Sequence, residues 1–122
     1  MLRQGPIPYF VHGLIEYAAG ALFIAAPFLL GFDSGAAVAL SIGAGVLVLV
    51  VAASTDGPTS LIDQIPLAAH VTLDYVFSVL LIALPFIGSF SDETGPTAFF
   101  IAVGVLHLLV SIGTRYRKPA ER

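Results

Sequence analysis

Two short patterns in this 122-residue chain carry residue types suited to acid–base and metal chemistry. They read Pro8-x3-His12-x3-Glu16-Tyr17 and Pro66-x3-His70-x3-Asp74-Tyr75. Proline suits the first helical position, because it lacks the N–H that would be unpaired there. On a helix started that way, each histidine lies about 6 Å along the axis and each carboxylate about 12 Å. The i, i+4 spacing puts histidine and acid on one helix face. Neutral imidazole with carboxylate oxygen suits Zn, Fe or Mn, so His12, Glu16, His70 and Asp74 would form a four-ligand cage for a divalent metal. Known carboxylate sites in helical bundles use Glu-x2-His, and the order and spacing here differ from theirs.

The same residues admit other chemistry. His12 and His70 at equal depth could be the two axial ligands of haem b, although carboxylates beside them would disfavour propionates on that side. Histidine and acid at matched depth could also relay protons or meet a quinone. His107 lies seven residues before Thr114 and about 10 Å in from the same side, between the histidines and the acids in depth. It therefore joins His12 and His70 as a candidate cofactor ligand. Phe100, Gly104, Ser111 and Thr114 share its helix face. The purely structural alternative is that each histidine hydrogen-bonds its own i+4 acid and glues helices together. No nucleophile–base arrangement, phosphate-cradling loop or dinucleotide fingerprint is present, so nothing marks an enzyme.

What must position these groups is a set of membrane helices. Hydrophobic residues make up 57% of the chain and charged ones 11%, less than half the share of an average soluble domain. From Gln4 to Thr114, 111 consecutive residues contain no Lys or Arg, whereas a soluble surface needs basic side chains throughout. Arg3, Arg115, Arg117, Lys118 and Arg122 sit at the two ends. A net charge of −3 with no internal basic cluster gives no footprint for nucleic acid. The absence of Cys excludes disulfides, thiolate zinc sites, iron–sulfur clusters and c-type haem attachment.

Four apolar segments follow, at about 8–31, 36–54, 66–90 and 97–114, separated by turn-like breaks around Asp33, Asp56-Gly57-Pro58 and Asp92-Glu93. His12 and Glu16 interrupt the first where the core of a cleaved signal peptide would be uninterrupted. The expected fold is an all-α four-helix transmembrane bundle in the inner or plasma membrane. The positive-inside rule puts both termini, and the His/acid layer near them, on the cytoplasmic side. The lipid bilayer is the immediate partner, with other membrane subunits or self-association as further expectations.

The chain is also a duplication. Shifted by 58 residues, Ile7 to Phe32 matches Ile65 to Phe90 at ten of 26 positions, including His12/His70, Tyr17/Tyr75 and Pro27/Pro85. The reading is one membrane domain of two hairpin repeats, 7–55 and 65–114, with a basic tail at 115–122. An even number of spans per unit relates the repeats by a pseudo-two-fold along the membrane normal. Each first helix ends in a Pro-Phe element, at Ala26-Pro27-Phe28 and Leu84-Pro85-Phe86. Each second helix carries Gly-Val-Leu, at Gly45-Val46-Leu47 and Gly104-Val105-Leu106. In this the chain resembles the bacterial SPW-repeat membrane proteins, whose repeat is a helix pair with a Ser-Pro-Trp signature, here with Phe in place of Trp. The resemblance implies architecture and no activity.

Three further features read as structural. Pro27 and Pro85 should kink or end their helices early. Gly35, Ala39 and Gly43 form a small-residue ladder that would admit a close helix. Asp33, Asp92 and Glu93 read as solvated loop charges, and Tyr17 and Tyr75 as hydrogen-bond or packing residues. Asp56 and Asp63 read as solvated too, with a cation entrance as the alternative.

Overall fold

The computed structural model describes residues 5–116, which form four long helices and two strands of two residues each. Helix α1 spans Tyr9–Leu29, α2 Gly35–Ser54, α3 Leu67–Ile87 and α4 Thr94–Gly113. Each has 20 or 21 residues, about 30 Å of helix, and is apolar enough to cross a membrane. Large aliphatic side chains such as Leu29, Val50, Val79 and Leu106 point outward and are more than half exposed, a surface that only lipid would solvate well. The chain is an integral membrane protein. Arg3 and the basic residues from Arg117 onward lie outside the described residues.

Helix boundaries fall within a few residues of those the sequence implies, and the departures have local causes. Pro8 and Pro66 are N-caps with extended backbone, one position ahead of the expected first turn. Helices α1 and α3 end two residues after Pro27 and Pro85, short of the expected 31 and 90. Each proline frees the carbonyl one turn back, and the freed Phe23 carbonyl accepts a hydrogen bond from Ser41 Oγ at 2.6 Å. Both ends close in the same way. Phe32 N–H donates to the Pro27 carbonyl and Phe90 N–H to the Pro85 carbonyl, past Gly31 and Ser89 in the left-handed region.

Within each hairpin the helices approach closely at glycine. A Cβ on Gly45 would lie 2.6 Å from the Gly20 carbonyl oxygen, and one on Gly104 would lie 3.0 Å from that of Ser78. The ladder of Gly35, Ala39 and Gly43 is not used for this. All three face outward, and none of the described residues lies within 4 Å of where a Cβ of Gly35 or Gly43 would stand.

The hairpins join at both ends. At one end an aromatic core of Phe23, Phe32, Phe90 and Phe100 packs with Leu81, flanked by Phe77 and Phe99. There Glu93 is more than a solvated charge, because its carboxylate accepts from the N–H groups of Asp33 (2.7 Å) and Ser34 (2.9 Å) and ties one loop to the other. At the opposite end strand β1 (Ile7–Pro8) pairs in parallel with β2 (Thr114–Arg115), Ile7 opposite Thr114. A bridge between Thr55 and Ile65 is the counterpart in the other half. Pairings this short carry no sequence periodicity, yet they anchor both ends of the repeat pair beside the histidines.

Candidate functional site

The i, i+4 spacing on α1 and α3 places His12 with Glu16, and His70 with Asp74, on faces turned toward each other. All four side chains are buried, and one ligand atom from each lies within 4.8 Å of the others. Glu16 Oε2 is 3.0 Å from His12 Nε2 and 2.8 Å from His70 Nε2. Asp74 closes the square, with Oδ2 3.1 Å from His12 Nε2 and Oδ1 3.2 Å from His70 Nε2. Each histidine therefore touches the acid of the other hairpin as well as its own.

The far side of each imidazole is fixed by a threonine. His12 Nδ1 is 2.8 Å from Thr114 Oγ1, and His70 Nδ1 is 2.6 Å from Thr55 Oγ1. Thr55 already donates its hydroxyl hydrogen to the Val51 carbonyl, and Thr114 donates its own to the Val110 carbonyl. Each Oγ1 can therefore only accept from the ring, so Nδ1 carries the hydrogen. In a neutral imidazole, Nε2 then presents a lone pair to the carboxylates. Two nitrogen lone pairs facing two carboxylates repel unless positive charge lies among them. No Lys or Arg occurs from Gln4 to Thr114 to supply it. Arg115 is exposed and is turned to the Gly5 and Pro6 carbonyls instead. Among the described residues, then, no Lys or Arg side chain offers that charge, and protons or a bound cation are what could.

His107 on α4 is brought beside this group rather than into it, with Nε2 3.3 Å from Asp74 Oδ1. Tyr116, just past β2, is buried and covers the same end. Its ring centroid lies 5.4 Å from that of His12, and its hydroxyl points at Asp74 Oδ2 across 3.5 Å. Burial, reinforced by the Asp74 charge, pushes the Tyr116 phenol above its ordinary pKa, so it remains an O–H donor.

Among the residues the sequence singled out, the structure brings together His12, Glu16, His70, Asp74 and His107. Tyr17 is turned away, donating to the Thr59 carbonyl at 2.7 Å. Asp63 lies in the exposed loop, bonded to Ser60. Sequence reasoning placed Thr114 on the face of His107 but missed its contact with His12, and it missed Thr55 and Tyr116. Thr55 and Thr114 correspond under a 59-residue shift, one more than the shift that aligns α1 with α3. That repetition was the available signal.

The SPW repeat domain family matches residues 10–114. No curated protein and no solved structure matches the chain. The chain belongs to the SPW repeat family.

Proposed function

We propose that this SPW repeat protein binds one divalent metal ion within the membrane, through His12, Glu16, His70 and Asp74. The observation that carries the reading is the donor pattern. Two threonines hold both Nδ1 atoms as N–H donors, leaving two Nε2 lone pairs and two carboxylates converging on one point. A ligating histidine ordinarily donates its other ring N–H to a fixed acceptor in this way. Metal–ligand bonds of about 2.0–2.2 Å place tetrahedral ligand atoms roughly 3.4 Å apart, and the contacts here run from 2.8 to 3.2 Å. Seating the ion would lengthen these four His–acid contacts slightly, within a group already no wider than 4.8 Å. Nitrogen and oxygen donors without thiolate suit Zn, Fe or Mn.

The convergence favours a single ion over haem b. Glu16 Oε2 stands between the two Nε2 atoms, where a macrocycle with two axial histidines would have to lie. By the positive-inside argument the ion would sit near the cytoplasmic face, in one domain of two repeats, 7–55 and 65–114. Elemental analysis and absorbance spectra of detergent-purified protein test the reading. About one Zn, Fe or Mn per chain is expected, lost in the His12→Ala/His70→Ala double variant. A metal-free wild type after loading with each ion would refute it.

A second reading rests on the outward ladder of Gly35, Ala39 and Gly43, left unpacked within the chain. It would make the protein a structural subunit or a self-associating one, with the His/acid layer as interhelical hydrogen bonds. Stoichiometric association that survives loss of both histidines would favour it.

A further inference from the structure

The four converging ligands obey the repeat, but their surroundings do not. Under the correspondence that aligns Gly45 with Gly104, His107 stands where the first hairpin has Val48. Under that aligning His12 with His70, Phe77 stands where it has Ala19. His107 and Phe77 meet edge to face, with ring centroids 5.7 Å apart.

Both line a partly open cavity of about 180 Å³ between α2 and α3. Its walls are almost entirely apolar, and its inner end reaches the buried Asp74, Glu16 and His107. Leu47, Leu73, Val76 and Leu80 at its rim are exposed on the outer flank, so the mouth opens sideways to acyl chains. An apolar cavity of about 150 Å³ stays dry and admits one benzene ring, so this one has room for a single substituted six-membered ring. An acyl chain would satisfy the walls and leave the second ring nitrogen of His107 without a matching group. A ring bearing oxygen supplies one. His107 gives Nε2 to Asp74, and among the described residues its other nitrogen has no hydrogen-bond partner, which leaves it for a ligand.

We propose that this cavity binds the ring of a quinone or quinol delivered from the bilayer, with a ring oxygen hydrogen-bonded to His107 and the tail leaving between α2 and α3. The cavity shares Glu16 and Asp74 with the proposed metal site at its inner end, but the ring's hydrogen bond falls on His107, outside the four-ligand group.

Titration calorimetry of the purified protein with a decyl-tailed benzoquinone tests this, with a straight-chain alcohol of equal length as the comparison ligand. Saturable binding at one quinone per chain is expected, with the alcohol much weaker. His107→Val, which installs the first hairpin's residue, should weaken quinone binding roughly tenfold while His107→Gln largely restores it. Val76→Phe narrows the mouth from the lipid-facing rim, where folding is least at risk, and should weaken binding with metal content unchanged. Quinone uptake no greater than partition into empty micelles would overturn the proposal. Equal binding of quinone and alcohol, indifferent to His107→Val, would overturn it as well.

Discussion

The first and second hairpins match where they meet and differ beside the meeting point. Each supplies one histidine, one carboxylate and one threonine, and each threonine serves the other hairpin's histidine: Thr114 holds His12, and Thr55 holds His70. Neither hairpin carries a complete half-site, so the centre exists only at the interface. The differences gather around Asp74. His107 and Tyr116 both contact it, where the first hairpin has Val48 and Gly57 at the corresponding positions. The shared atoms make a symmetric cage. The unshared ones give that cage one side with further chemistry.

The largest effect is expected when one acid is removed at a time. Asp74 touches His12, His70, His107 and Tyr116, whereas Glu16 touches only the first two of these. Both Asp74→Asn and Glu16→Gln are expected to abolish retention of the proposed metal, since each removes a proposed ligand. Asp74→Asn should also cost the protein more stability, because it leaves more buried partners unpaired. Removing one member of a buried ion pair costs about 3–5 kcal/mol, and Asp74→Asn is expected in that range with Glu16→Gln below it. Metal per chain and thermal unfolding followed by circular dichroism measure the two effects separately. Equal destabilisation would mean that His107 and Tyr116 add nothing to Asp74.

A finer cut spares the ligands and removes only what orients them. Thr55→Val and Thr114→Val keep shape but lose the acceptor for Nδ1. Partners of this kind are worth 10–100-fold in metal affinity, and the two single variants are expected to lose about the same amount. Competition against a chelator reads the affinity directly. A loss confined to one variant would show that only one histidine is held as a ligand, and the cage would not be symmetric.

How much of this could be read beforehand divides by interaction range. Spans, hairpins and the burial of His12, Glu16, His70 and Asp74 follow from hydropathy and from spacing along single helices, which are local properties. Which histidine contacts which acid does not, because crossing between hairpins is a tertiary fact. Thr55 looked like the start of a loop, and only its bond to His70 from the next hairpin gives it a role. Tyr116 lay among basic tail residues, and its place over Asp74 depends on the strand pairing of Ile7 with Thr114. The Gly35, Ala39 and Gly43 ladder shows that spacing alone does not say which helix is approached. Its spacing is right for close packing, but the helix turns it outward and uses Gly45 instead.

The smallest expected effect compares the same backbone position in the two hairpins away from the site. The turns after α1 and α3 place Gly31 at φ 66° and Ser89 at φ 62°. The capping hydrogen bonds are nearly identical, 3.0 Å from Phe32 N to the Pro27 oxygen and 2.9 Å from Phe90 N to the Pro85 oxygen. A side chain in this region costs roughly 1 kcal/mol, which glycine avoids. Ser89→Gly is therefore expected to stabilise the protein by up to about 1 kcal/mol, less whatever the unfolded chain gains in freedom. Gly31→Ser should destabilise it by a similar amount. None of the described residues lies within 4 Å of the Cβ that Gly31 would acquire, so the exchange isolates the backbone term from contacts with them. Unfolding of both variants in one detergent mixture measures the difference. Shifts of the same sign in the two would mean that the turns, alike in geometry, are not alike in what holds them.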